Sequence, residues 1–119
     1  MNKRILVLED DADISTIIKI ILEEESYEVK LCADIASFKR EIQSIVPDLF
    51  IFDVMLPDGN GLDLCHQVKR APDTRHIPVV IISAHAHLAE VLNKCKPDAF
   101  IPKPFDIDYF TGRIKSVIN

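Results

Sequence analysis

The chain has 119 residues, of which 48% are hydrophobic and 28% are charged, and its net charge is −5. This length suits one folded domain, and the composition argues against disorder. The acidic balance argues against non-specific binding of nucleic acid. No apolar run approaches the roughly 20 residues of a membrane span, and the N-terminus lacks the pattern of a cleavable signal. We therefore expect a cytoplasmic protein that does not enter a membrane.

Five segments have the pattern of β-strands. Continuous apolar runs in residues 3–8, 48–53 and 77–83 are typical of strands buried on both faces, as in parallel sheets. Residues 27–32 alternate apolar and charged side chains, which predicts a half-exposed edge strand. Residues 98–102 form a short run that stops at a proline, as an edge strand can.

Helix patterns alternate with these strands. Asp11 and Asp13 are placed to cap the first helix, and Asp34 the second. The predicted inner faces are, in chain order, Ile14, Ile17, Ile18, Ile21 and Leu22; Ile35, Phe38, Ile42 and Ile45, before Pro47; Leu64, Cys65 and Val68 within residues 61–71; Leu88, Val91, Leu92 and Cys95; and Ile107, Phe110, Ile114 and Val117.

Five strands alternating with five helices predict an α/β fold with a doubly wound parallel sheet in the order 2-1-3-4-5. The two edge-like strands, 2 and 5, suit that order. The direction of winding then reverses between strands 1 and 3. We expect a crevice at the C-terminal ends of those two strands, where such folds bind ligands.

The three cysteines, Cys32, Cys65 and Cys95, are widely spaced and form no C-x-x-C motif. An odd number of isolated cysteines is typical of free thiols in a reducing compartment rather than of a disulfide framework. We therefore predict buried, unpaired thiols with no redox role.

Polar residues follow four of the predicted strands at their C-terminal ends. Glu9 and Asp10 end strand 1, Asp53 ends strand 3, Ser83 ends strand 4, and Lys103 follows strand 5. Crowded carboxylates repel one another unless a cation lies among them. Carboxylate oxygens are the ligands that Mg²⁺ prefers, so these acids predict a magnesium site.

A lysine and a hydroxyl beside a metal-binding carboxylate form a site for a phosphoryl group. Lys103 can contact one phosphoryl oxygen, Ser83 can donate to a second, and Mg²⁺ can hold a third. Asp53 would then be the nucleophile and would form an aspartyl phosphate. Ala84, directly after Ser83, leaves room for the incoming group.

These segments resemble the receiver domain of two-component response regulators over essentially the whole chain, as a single domain of residues 1–119. The matching motifs are ILVLEDDAD, with Glu9 and Asp10 as its acidic pair; LFIFDVMLPDGNGLDLC, with Asp53 as phosphoacceptor; VVIISA; and AFIPKPF. The resemblance implies a flavodoxin-like fold. It also implies that a histidine kinase or a histidine phosphotransfer protein phosphorylates Asp53 in a Mg²⁺-dependent reaction.

The same resemblance implies how the metal is held. Asp10 and Asp53 would bind Mg²⁺ directly, together with the backbone carbonyl of Met55, and Glu9 would act through water. No other cofactor is implied. The domain would catalyse only its own phosphorylation and dephosphorylation.

The resemblance further implies a conformational switch. Ser83 would move toward the phosphoryl group, Phe100 would fill the vacated space, and the face of helix 4, strand 5 and helix 5 would change. That face would control a downstream protein or a fused output domain, or form a homodimer. The peptide bond between Lys103 and Pro104 would be cis.

The sequence departs from the family pattern near helix 4. The stretch from Ser83 to Lys103 is shorter than usual by about two residues, and Lys96-Pro97 stand where the family usually has glycine. We therefore predict a short or displaced helix 4, which affects the output and dimer surface. Phe100 replaces the frequent tyrosine, so no buried hydroxyl is present there.

Alternative functions follow from the same residues. An aspartyl-nucleophile phosphohydrolase usually needs an aspartate two residues after the nucleophile, and Met55 stands there instead. A flavin-binding version of the fold is disfavoured because the acidic turn after strand 1 would repel a phosphate. A pseudo-receiver that docks partners without phosphate stays open. So does the choice between a standalone protein and a piece of a longer regulator.

Two further motifs carry no predicted chemistry. His85 and His87 form an H-x-H, but the neighbouring sequence supplies no third and fourth zinc ligand. We interpret them as loop imidazoles, although His85 could influence the access of water to a phosphoryl group. Residues 58–61, DGNG, lack the G-K-[ST] continuation of a phosphate-binding loop and are predicted to form a turn.

Overall fold

The computed structural model describes residues 2–84 and 88–118. Its main sheet contains five parallel strands: β1 (Arg4–Leu8), β2 (Glu28–Cys32), β3 (Leu49–Asp53), β4 (Val79–Ser83) and β5 (Ala99–Pro102). Their order is β2-β1-β3-β4-β5. The predicted topology, with its reversal between β1 and β3, is therefore confirmed.

The helices are α1 (Ala12–Glu24), α2 (Ile35–Glu41), α3 (Gly61–Arg70), α4 (Leu88–Lys94) and α5 (Ile107–Val117). The predicted α/β architecture with five helices is confirmed. Within the described residues, no helix has both the length and the hydrophobicity needed to cross a membrane.

An antiparallel hairpin with two residues in each strand lies between β3 and α3. It pairs Met55–Leu56 with Gly59–Asn60. Sequence patterns predict a turn at residues 58–61, and the structure places that turn within the hairpin and the start of α3. The hairpin projects from the same end of the sheet as the C-terminus of β3.

The sheet is buried on both faces, and side chains alternate between two separate clusters. The α2–α4 layer contains Leu6, Leu8, Phe50, Phe52, Val79 and Ile81 from the strands, with Phe38, Leu64, Val68 and Val91 from the helices. The α1–α5 layer contains Ile5, Val7, Leu49, Ile51, Val80 and Ile82, with Ile18, Leu22, Phe110 and Ile114. The two-sided burial explains why β1, β3 and β4 have continuous apolar sequences.

Two of the three predicted capping residues, Asp11 and Asp34, cap their helices, whereas Asp13 lies inside the first turn of α1. The side chain of Asp11 accepts hydrogen bonds from the backbone N–H groups of Asp13 (2.9 Å) and Ile14 (3.0 Å). Asp34 accepts from the N–H of Ser37 at 2.8 Å. These bonds satisfy amides that have no partner within the first helical turn.

Three predicted inner-face residues are exposed instead. Ile17, Leu92 and Ile107 are 52%, 53% and 56% exposed, so each of these predicted apolar stripes is wider than the part of the helix that the structure buries. Helix α2 also ends earlier than predicted. Ile42 is its C-cap residue, and Ile45 packs against the α2–α4 layer from the following turn.

The prediction of unpaired thiols is wrong for two of the three cysteines. Cys65 in α3 and Cys95, directly after α4, are joined by a disulfide, and their Cα atoms are 6.0 Å apart. Both belong to the α2–α4 layer. Their separation of 30 residues in sequence gives no sign that they meet. Cys32 is free and buried, as predicted.

Candidate functional site

Three carboxylates meet at the C-terminal edge of the sheet. Glu9 and Asp10 directly follow β1, and Asp53 is the last residue of β3, the neighbouring strand. Three carboxylate oxygens, one from each of these side chains, lie within 4.8 Å of one another. The structure therefore brings together the acids that the sequence places at separate strand ends.

The three acids differ in exposure. Glu9 is 2% exposed and Asp53 is 7% exposed, whereas Asp10 is open to solvent. The Glu9 N–H donates to the carbonyl of Cys32 at 3.0 Å, which ties this residue to the neighbouring edge strand. One oxygen of Asp53, Oδ1, accepts from the N–H of Val54 at 2.8 Å.

Lys103 is the cation of the site. Its Nζ donates to Glu9 Oε1 at 2.6 Å and lies 3.4 Å from Asp53 Oδ2. The Lys103 N–H donates to the carbonyl of Ser83 at 3.0 Å, and the Lys103–Pro104 peptide is cis. The hydrogen bond to Ser83 ties the Lys103 backbone to the end of β4 while its side chain reaches between the two acids.

The pKa values of this pair reflect its burial. Desolvation raises the pKa of Glu9 from 4.5 to about 7, although hydrogen bonds from Lys103 and the Asp11 N–H act to lower it. The charge of Asp53 adds to the rise. Desolvation alone would lower the pKa of Lys103, but its bond to Glu9 and the charge of Asp53 raise it above its ordinary value. The lysine is charged at neutral pH, and Glu9 takes up a proton near neutrality.

The donor atoms fit a magnesium ion. Carboxylate oxygens are hard ligands, and Mg²⁺ takes one or two of them and completes its octahedron with carbonyl groups and water. The acids line a cleft of about 740 Å³, open to solvent and bordered on one side by Ile14, Ile17 and Phe105. The exposed Asp10 and this open cleft leave room for water ligands.

The other predicted residues lie around this centre. Ser83 is buried at the end of β4, next to Asp53's strand, and Ala84 lines the cleft. Phe100 is half-buried against the α2–α4 layer. Met55 follows Asp53 by two residues, in the hairpin, with its side chain 60% exposed. His85 and His87 lie outside the described residues.

Two residues of the site region were missed by sequence reasoning. A Cβ atom on Gly61 would overlap the backbone carbonyl of Asp53, so the start of α3 can approach β3 this closely only with glycine. Asp58, in the turn of the hairpin, accepts hydrogen bonds from the first turn of α2. The DGNG stretch signals a turn, but it does not show which residue contacts which neighbour.

Comparison with known proteins agrees with this geometry. Residues 5–115 match the description "Response regulator receiver domain". The chain belongs to this family. As a receiver domain, it carries the Glu9, Asp10 and Asp53 cluster where it fits the phosphorylation site.

Curated relatives of this receiver domain include longer regulators. It is 33% identical over 121 residues to the phosphate regulon transcriptional regulatory protein PhoB of Escherichia coli (strain K12), covering 100% of this chain and 53% of that protein. The response regulator ArlR of Staphylococcus saprophyticus is 32% identical over 118 residues, with coverage of 98% and 52%. The chain spans about half the length of these relatives.

Solved structures share the fold. The receiver domain protein (CheY-like) of Methanospirillum hungatei superposes with a TM-score of 0.89 at 30% identity, covering 99% of this chain and 94% of that one. The non-phosphorylated HemR receiver domain of Leptospira biflexa gives a TM-score of 0.88 at 32% identity, with coverage of 99% and 95%.

Proposed function

We propose that residues 1–119 act as one receiver domain that accepts a phosphoryl group on Asp53 in a Mg²⁺-dependent reaction. The donor is a histidine kinase or a histidine phosphotransfer protein. The observation that carries this proposal is the meeting of Asp53 with Glu9, Asp10 and Lys103 at one edge of the sheet. A nucleophile, a metal-binding set and a phosphate-binding cation are then within reach of one ligand.

The arrangement favours one oxygen of Asp53 as the nucleophile. Oδ1 is occupied by the N–H of Val54, whereas Oδ2 faces the Lys103 ammonium 3.4 Å away. In the proposed step, Oδ2 attacks the phosphorus of a phosphohistidine, the P–N bond breaks, and the imidazole leaves. The product is an aspartyl phosphate with its phosphoryl oxygens in the open cleft.

The metal site is proposed to consist of two carboxylates and one backbone carbonyl. Asp10 and Asp53 are the direct carboxylate ligands, and the Met55 carbonyl completes the protein contribution. Glu9 acts through water, since its Oε1 is already bonded to Lys103. Bound Mg²⁺ supplies positive charge that offsets the repulsion between Asp53 and the incoming phosphoryl oxygens.

Phosphorylation is proposed to redirect Lys103. The new phosphoryl oxygens compete with Glu9 for its ammonium, and the hydroxyl of Ser83 donates to another of these oxygens. Phe100 follows Ser83 and reshapes the face formed by α4, β5 and α5. The domain promotes only its own phosphorylation and dephosphorylation.

The proposed partners are proteins. Leu92, Ile107 and Tyr109 expose apolar surface on α4 and α5, which suits a downstream protein, a fused output domain or a second copy of this domain. The exposed Ile17 borders the cleft and suits contact with the phosphodonor. With a net charge of −5, the domain is not proposed to bind nucleic acid itself. The proposed compartment is the cytoplasm, a reducing compartment in which Cys32 would stay a thiol and the Cys65–Cys95 pair would be reduced to two thiols.

The test is the intact mass of the protein after incubation with acetyl phosphate, with Mg²⁺ or with EDTA. We expect one added phosphoryl group in the presence of Mg²⁺ and none with EDTA. Asp53→Asn should abolish the addition, because an amide cannot act as the nucleophile. Asp63→Asn, which changes an exposed aspartate in α3, is the matched control and should be phosphorylated normally.

Two results would contradict the proposal. Equal phosphorylation of Asp53→Asn would show that another residue is the acceptor. Absence of any addition to the wild-type chain, from acetyl phosphate and from a phosphorylated histidine phosphotransfer protein alike, would favour a pseudo-receiver that docks partners without phosphate.

A further inference from the structure

The hairpin after β3 is attached to helix α2 by one side chain. Asp58 lies in the turn of the hairpin, and its two carboxylate oxygens accept from the N–H groups of Ile35 (2.8 Å) and Ala36 (3.0 Å). These amides belong to the first turn of α2. Asp58 is therefore hydrogen-bonded through both oxygens to an element that is 22 and 23 residues away in the chain.

Packing reinforces the same attachment. Gly59, the next residue, lies so close to α2 that a Cβ atom there would be 2.6 Å from Cδ1 of Ile35. The hairpin thus meets α2 through a bidentate hydrogen bond at Asp58 and through the contact of Gly59 with the end of the Ile35 side chain. The two contacts hold the hairpin against the first turn of α2.

The base of the hairpin is fixed independently. The N–H of Gly61 donates to the carbonyl of Val54 at 2.7 Å, and Asn60 caps α3 by accepting from the N–H of Leu62 at 2.7 Å. Met55 lies between this base and the turn, paired with Asn60. The bonds of Gly61 and Asn60 therefore hold the Met55 backbone at the base of the hairpin, and the bonds of Asp58 hold it at the turn.

We propose that Asp58 is a positioning residue for the metal site. By fixing the hairpin against α2, it holds the Met55 carbonyl in the orientation that Mg²⁺ requires, although Asp58 itself does not bind the ion. This inference rests on the proposed function, since it takes the Met55 carbonyl as a ligand. Mg²⁺ demands near-ideal octahedral geometry, so a small displacement of one ligand weakens binding.

The chain offers a matched control for this role. Asp34 also accepts from an N–H of the first turn of α2, that of Ser37 at 2.8 Å, but it precedes the helix and has no bond to the hairpin among the described contacts. Asp34→Ala and Asp58→Ala each remove one acidic acceptor from the same end of the same helix. Only Asp58→Ala releases the hairpin.

The experiment measures the Kd for Mg²⁺ of the full chain by isothermal titration calorimetry. We expect Asp58→Ala to weaken binding about ten-fold, and Asp34→Ala to weaken it less than about two-fold. Asp58→Asn keeps one acceptor oxygen and should recover most of the affinity. In the metal-free protein, hydrogen exchange at Ile35 and Ala36 should accelerate in Asp58→Ala.

Controls separate positioning from charge and from folding. Raising the ionic strength would shrink a purely electrostatic effect of Asp58, whereas a positioning effect persists. If Asp58→Ala does not fold, Asp58→Ser replaces it; it should bind Mg²⁺ more weakly than the wild-type chain does, and equal binding would overturn the inference.

The inference is overturned if the wild-type chain and Asp58→Ala bind Mg²⁺ equally well, or if Asp34→Ala loses as much affinity as Asp58→Ala. Failure of the proposed function has a different signature. In that case the wild-type chain itself binds no Mg²⁺ or takes up no phosphoryl group, and Asp58 has no metal ligand to position.

Discussion

Glu9 and Lys103 form a buried ion pair between residues 94 positions apart in the chain. The lysine side chain is 12% exposed and the glutamate side chain 1% exposed. Removing Lys103 would leave Glu9 and Asp53 buried without a counter-ion, which is costly, whereas removing Glu9 would leave Lys103 with Asp53 as its counter-ion. In the receiver domain this pair partly neutralises the acidic cluster, so the three acids can fold together before any metal binds.

The raised pKa of Glu9 makes the stability of the metal-free protein depend on pH. Below pH 4.5, Glu9 is protonated in both the folded and the unfolded chain, and its contribution to stability is fully present. Between pH 4.5 and about 7 the folded state holds a proton that the unfolded state releases, so stability falls as pH rises. The loss by pH 8 should be about 3 kcal/mol.

Urea denaturation in EDTA between pH 5 and pH 8 measures this dependence. The wild-type chain should lose stability over the range. Glu9→Gln, which cannot ionise, should show a flatter profile. Parallel profiles for the two proteins would mean that Glu9 titrates at the same pH in both the folded and the unfolded state, and the prediction would be wrong.

Individual residues also show where sequence reasoning stops. Asp53, Glu9 and Asp10 could be placed together because each ends or follows a parallel strand of the same sheet. The bond from Lys103 to Glu9 could not be predicted, because strand order fixes which edge a residue reaches and not which oxygen it contacts. The same limit applies to Asp58, whose bonds to α2 depend on the conformation of a two-residue turn.

Helices α3 and α4 are linked covalently as well as by packing. The disulfide joins Cys65 in the middle of α3 to Cys95 at the end of α4, across the α2–α4 layer. Helix α4 has seven residues and belongs to the face that is proposed to report phosphorylation. An oxidised pair would restrict how far the C-terminal end of α4 can move from α3.

Reduction of this disulfide should destabilise the protein. Closing a loop with a sequence separation of 30 removes unfolded-chain entropy worth about 3–4 kcal/mol. Urea denaturation of the air-oxidised protein, with and without dithiothreitol, measures the difference. Cys95→Ser should show no response to the reductant, whereas Cys32→Ser, which leaves the pair intact, should respond as the wild type does.

Alkylation of the cysteines provides a second test of the disulfide between Cys65 and Cys95. Under denaturing but non-reducing conditions, the oxidised protein should react with one equivalent of an alkylating reagent, at Cys32. Three modified cysteines after air oxidation would show that Cys65 and Cys95 remain thiols. That outcome would agree with the unpaired thiols that the cysteine spacing predicts.

The sequence predicts which strands and helices form, and their order, better than it predicts where each of them ends. The five strands and the edge character of β2 follow from runs, alternation and proline positions. The early end of α2 and the exposure of Ile17 do not follow from these patterns. They depend on how much of each apolar stripe the sheet happens to cover, which is a property of packing rather than of periodicity.

The molecule as a whole should be stabilised by Mg²⁺. A ligand that binds only the folded state adds about 2.7 kcal/mol at a concentration 100 times its Kd. We therefore expect the free energy of unfolding at pH 8 to rise by about this amount when saturating Mg²⁺ replaces EDTA. Asp10→Asn should remove most of the increase, because it takes away the proposed solvent-facing ligand.

Chemical denaturation at constant ionic strength makes this comparison, with Na⁺ replacing Mg²⁺ in the reference buffer. The net charge of −5 means that any added salt screens repulsion across the surface, so ionic strength must be matched. An equal rise in the wild type and in Asp10→Asn would assign the effect to general screening rather than to a bound ion.

The separation of the interior into the α2–α4 layer and the α1–α5 layer has a thermodynamic consequence. Residues on opposite sides of the sheet share few neighbours, so the energetic effects of substituting, for example, Val68 and Ile114 should add. Each layer can then change in sequence without requiring a compensating change in the other.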